Sequence, residues 1–288
     1  MKFKSVKSTI ILVLSLIVLI SLQSCGGNDN PTGTEQSAAP ALPDMSTVEM
    51  DLSFFGLSPV AKNGLDKNPI KPEMEAAGTG KDNWINAAVR VFFVQLSFYA
   101  AFEAPVSAFA VAINSVPQKQ PDGSWLWTYI YVDDGMDYGI FLYGTPMTDR
   151  VAWRMEVSTN DPAMQFDHFI WFSGEAMNDD SSGFWQFYAP VDTLTQGVPS
   201  VRIDWLNTAN NEHQLSVLVN EAGSPEEGDN LVFYVSPNEN FLTFTDVSVP
   251  EVHTIMWYPD GSGSIEVPDY NGGVIACWDT LQKDMVCP

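Results

Sequence analysis

The sequence predicts a mainly β (α+β) fold: a large antiparallel meander curled into a barrel-like sheet around one apolar helix. Three observations predict it. Short β-prone runs recur along the second half of the chain, separated by Gly, Pro, Asn and Asp clusters. Most of these runs bring a tryptophan. One long stretch, 84–102, is apolar on nearly every face and is interrupted only by Asn86, Arg90, Gln95 and Ser97.

Taken in chain order, residues 42–81 are rich in Pro, Gly and Lys and read as irregular. Met50–Phe55 can form a strand or a helical turn. Asp82-Asn83 offers a helix N-cap before Trp84. A helix that is apolar all round is buried in protein or in lipid. Arg90 and Gln95 near its middle argue for protein, since a charge inside a membrane costs about 2.5–3.5 kcal/mol or more. Pro105 is expected to end this helix, and a second short one is expected over 106–113. The helical part as a whole covers about 82–114.

Pro121-Asp122-Gly123 signals a turn. The strand Trp125–Val132 follows, with an aromatic residue at each odd position, so Trp125 and Trp127 share one sheet face. Further strands are expected at 138–143, 151–157, 166–172, 184–188, 201–206, 214–219, 231–235, 241–247, 252–258 and 274–278, with Gly261-Ser262-Gly263-Ser264 read as a turn. A sheet this large needs cover for its concave face, and the helix from Trp84 is the natural filler.

The N-terminus has a different character. Lys2, Lys4 and Lys7 precede an apolar run, 10–20, that is short for a bilayer span. Leu22-Gln23-Ser24-Cys25 follows. This resembles the lipobox of bacterial lipoproteins, with Gln23 in place of the usual small residue. The resemblance implies cleavage before Cys25 and acylation of its thiol and new amine. Two or more acyl chains, each buried methylene contributing about 0.8 kcal/mol, then give stable attachment to a lipid bilayer. The expected organisation is a signal peptide at 1–24, a flexible tether at 25–41 and a single β-rich domain at 42–288. Gly26 after the cysteine, by similarity to other lipoproteins, points to the outer membrane. The body resembles uncharacterised envelope lipoproteins of Gram-negative bacteria. Its layout is also similar to that of periplasmic lipoprotein carriers and lipocalin-like barrels, which implies an apolar ligand in the concavity.

Charge narrows the range of partners. With 10 of the 13 basic residues left after the signal against 36 acidic ones, the mature chain carries −26. Such a field repels nucleic acid. In an exported chain Cys277 and Cys287 are expected to bridge. The closed loop of about ten residues would contribute roughly 2–3 kcal/mol.

No zinc-ligand spacing joins His168, His213 and His253, and no nucleophile-elbow motif stands in the chain. Acidic loops at 133–137, 178–180 and 226–230 offer oxygen ligands but lack the spacing of a calcium loop, so no cofactor is expected. Arg154–Glu156 and Arg202–Asp204 repeat one spacing, which puts each pair on a single sheet face. They form either an anion clamp or a salt-bridge row in water.

Three roles follow. The first is a non-catalytic, membrane-anchored domain that binds an apolar ligand or protein partner, marked by a hollow beside the helix. The second is a glycan-binding surface lipoprotein using Trp125 and Trp127, marked by exposed rings. The third is a hydrolase of envelope or external polymers, marked by two facing carboxyls about 5–10 Å apart. The lack of a catalytic motif weighs against an enzyme.

Overall fold

A computed structural model describes residues 38–57, 80–112, 114–133, 135–159, 166–190 and 197–288. The expected signal segment and Cys25 lie outside the described residues, as does most of the expected tether. Residues 39–288 form one compact unit with its own core.

Fourteen strands form one antiparallel sheet in sequence order. They are β1 (Gln118–Lys119), β2 (Trp125–Asp133), β3 (Met136–Pro146), β4 (Arg150–Ser158), β5 (Phe169–Met177), β6 (Ser182–Pro190) and β7 (Gly197–Asn207). The rest are β8 (His213–Val219), β9 (Asn230–Val235), β10 (Asn240–Asp246), β11 (Glu251–Trp257), β12 (Gly263–Glu266), β13 (Ala276–Trp278) and β14 (Asp284–Met285). The meander expected from the turn signals is present. β1 and β14 end the order and do not pair with each other, so the sheet is open where a barrel would close. Residues 263–264, expected in a turn, begin β12 and pair with Trp278 and Cys277 of β13.

The recurring tryptophans have a structural reason. Across β2 to β6 one row reads Trp125, Gly144, Trp153, Gly174, Trp185, each directly opposite the next. Gly183 faces Trp205, and Gly263 stands between Trp257 and Trp278. Each glycine leaves room for the neighbouring indole to lie flat across the strand. A Cβ at Gly174 would come within 2.6 Å of the Trp185 ring. Glycine alone weakens a strand, and the aromatic ring that covers it restores the packing.

Helix α1 spans Asp82–Ala112 without interruption. Pro105 lies inside it and does not end it. The lost hydrogen bond is offset by burial on both sides of the proline, since Phe102, Val106, Ala108, Phe109 and Ala112 all belong to the core. The cap also differs from expectation. Asp284 of β14 accepts hydrogen bonds from the backbone N–H groups of Asp82 (3.1 Å) and Asn83 (2.9 Å), a carboxylate at the positive end of the helix.

The helix is held at both ends of the sheet. Near its start, Asn83 donates to the Cys277 carbonyl at 2.7 Å, Tyr270 donates to Asn83 at 2.7 Å, and Arg90 pairs with Asp269 at 2.7 Å. Near its end, the Tyr129 hydroxyl of β2 donates to the Ala108 carbonyl at 2.6 Å, and burial raises that phenol's pKa. Cys277 and Cys287 form the expected disulfide, which ties the tail carrying β14 to β13. Among the described residues, no helix is long and apolar enough to cross a membrane.

Candidate functional site

The two halves of the inner sheet face differ in side-chain volume. On β2, β4, β6 and β7, Trp127, Trp153, Trp185 and Trp205 reach inward to the core, and Phe109 of α1 packs on Trp185 with ring centroids 5.7 Å apart. On β7 and β8 the inward positions near the middle of the helix are Val201, Val217 and Val219. Valine projects less far than tryptophan. Where the wall changes from indole to isopropyl, the helix and sheet no longer meet.

A cavity of about 360 Å³ fills that gap. Phe93, Val94, Phe98 and Phe102 of α1 line one side, and the valines with Leu231 and Phe244 line the other. A second hollow of about 430 Å³ shares Phe93, Val94 and Phe244 with the first, so the two adjoin along the helix. Phe93 is 57% exposed even though it lies in this cleft. Both volumes fall in the range of roughly 300–1,000 Å³ common to small-molecule sites. Polar groups stand at the margins. Asp229 edges the first hollow, and Arg90, His253 and Asp269 edge the second. Arg90 is spent on Asp269 and Asn86, and its guanidinium holds the Asp269 carboxyl below the usual carboxylate range.

The arginines singled out in the sequence lie on the outer face. Arg154, Ser173, Gln186 and Arg202 stand opposite one another on β4 to β7, which separates the two arginines by three strand spacings, roughly 14 Å. Each meets its own acid. Arg154 Nε lies 2.9 Å from Glu156, and Arg202 grips Asp204 through two hydrogen bonds of 2.8 and 2.7 Å. Arg154 also covers the Tyr143 ring and Arg202 the Phe184 ring. Trp125 and Trp127 are buried on the inner face, so their rings offer no platform to a sugar.

One association was not legible in the sequence. His168 Nδ1 lies 2.9 Å from Glu156 Oε2, and the Glu156 residue is only 8% exposed. A bulge between Met155 and Glu156 re-aims the carboxylate, and a left-handed backbone at His168 (φ 53°) brings the ring over. The Ser158 hydroxyl accepts from the His168 backbone N–H, and among the described residues no hydroxyl or thiol is hydrogen-bonded to the imidazole. The sequence carries no signal of it: Met155-Glu156-Val157 keeps the apolar–polar alternation of a regular strand, and the run of three buried positions there belongs to the fold alone. Among the described residues, no cluster of three or more His, Cys, Asp or Glu is placed to hold a metal ion.

Comparison with known protein families, annotated proteins and solved structures finds no match to this chain.

Proposed function

We propose that this protein is a non-catalytic envelope lipoprotein, tethered through Cys25, that holds an apolar ligand between α1 and the valine wall of β7 and β8. The cavity carries the reading: about 360 Å³ of space with almost wholly apolar walls, beside a helix that exposes Phe93 within it. Such surface costs free energy when left to water, roughly 25 cal/mol per Å², and an apolar occupant recovers it. In this role the open sheet and α1 together act as a barrel-like container. The resemblance of 22–25 to a lipobox supports a place in the cell envelope, and Gly26 after the cysteine favours the outer membrane.

The test uses residues 26–288, which contain the whole compact unit, and the neutral probe N-phenyl-1-naphthylamine. Fluorescence is expected to rise on binding. Val217→Trp fills the hollow from the sheet side and Ser97→Trp from the helix side. Each is expected to weaken uptake about tenfold or more, equivalent to about 1.4 kcal/mol. Uptake unchanged in both folded variants overturns the site, and no uptake by the parent overturns the ligand-binding reading.

A further inference from the structure

The inner sheet face is apolar along the row Phe172, Phe187, Val201 and Val219, each opposite the next on β5 to β8. The following position across the sheet is Asp229, whose backbone carbonyl accepts from the Val219 N–H at 2.9 Å. Strand alternation therefore turns this carboxylate toward the concavity, where it lines the cavity. Asp229 is 8% exposed. Its Oδ1 accepts from the Val247 backbone N–H at 2.9 Å, and among the described residues that is the one hydrogen bond the carboxylate receives. Among the described residues, no Lys, Arg or His lines this cavity. Arg90, which edges the adjoining hollow, already pairs with Asp269 at 2.7 Å.

A buried carboxylate accepts hydrogen bonds and repels anions. The long-range field agrees, because a chain of formal charge −26 after residue 25, with 10 basic against 36 acidic residues, disfavours an anionic visitor. We infer that the cavity's occupant is an amphiphile whose head donates a hydrogen bond to Asp229, an amine or an alcohol, and not one that ends in a carboxylate or phosphate. This rests on the apolar-ligand reading above and specifies its chemistry.

Three ligands of one chain length separate the outcomes: dodecylamine, dodecan-1-ol and sodium dodecanoate. Each is titrated below its micelle concentration to displace N-phenyl-1-naphthylamine from residues 26–288. The amine is expected to bind about tenfold or more tightly than dodecanoate, the difference one charge-assisted hydrogen bond supplies, with the alcohol between them. Asp229→Asn keeps an oxygen for the Val247 N–H, so the fold is retained, and thermal melting checks this. In that variant the amine is expected to lose its advantage. If dodecanoate binds as tightly as the amine, or if the folded variant keeps the parent's preference, the head-group inference fails while the apolar cavity stands. If none of the three displaces the probe, the cavity reading fails as well.

Discussion

Gly174→Val is expected to cost more than about 3 kcal/mol, a large share of the roughly 5–15 kcal/mol that holds an ordinary domain together. Gly174 sits between Trp153 and Trp185 in the cross-strand row. Any Cβ there overlaps the Phe184 carbonyl and meets the Trp185 ring. The backbone oxygen belongs to the β5–β6 ladder and has nowhere to go, so the indole or the strand must shift. Overpacking alone costs about 1–3 kcal/mol, and expelling a large aromatic from its seat adds to that on the scale of about 3–5 kcal/mol for its full loss. The melting temperature is expected to fall by about 10 °C or more, read by circular dichroism. Gly139→Ala is the control: its Cβ would meet only ordinary contacts at 3.6 and 3.8 Å and should move stability by less than about 1 kcal/mol. A valine variant that melts with the parent would show that the glycine–tryptophan row is incidental.

The second large effect concerns the anchor. Cys25→Ser removes the thiol that would be acylated in the proposed lipoprotein. Each lost acyl chain takes with it about 0.8 kcal/mol per buried methylene. The variant is therefore expected to move almost completely from the membrane fraction to the soluble one, and to lose labelling by radioactive palmitate. Membrane fractionation with immunodetection checks the first and autoradiography the second. Unchanged fractionation and a parent that takes up no palmitate would remove the lipoprotein assignment, leaving the cavity reading of residues 39–288 untouched.

Most strands were legible because their information is local. Turn residues bracket each run, and the inward tryptophans mark the buried face. What was not legible depends on partners far apart in the chain. The two-residue strands β1 and β14 carry no periodicity of their own, and β12 lay hidden because Gly263, which reads as a turn residue, is there to accommodate Trp278. The helix continues through Pro105 because tertiary burial outweighs the local break, and its cap comes from Asp284, 202 residues from Asp82. The site divides in the same way. The apolarity of α1 was plain, yet the hollow exists only because valines of β7 and β8 face it where tryptophans fill the space elsewhere. The pairing of Glu156 with His168 needs both a bulge and a left-handed residue, and neither has a reliable signature in sequence.

The central claim, that an apolar chain lies between α1 and the valine wall, is tested most directly by photolabelling. An alcohol-headed chain carrying a diazirine at its tail is bound to residues 26–288, irradiated, and the adducts are located by peptide mass spectrometry. Labels are expected on the helix segment 93–102 and on the strands carrying Val201, Val217 and Leu231, and are expected to be suppressed by an excess of unlabelled alcohol. Adducts confined to the outer face around Arg154 and Arg202, or scattered and indifferent to competitor, would contradict it.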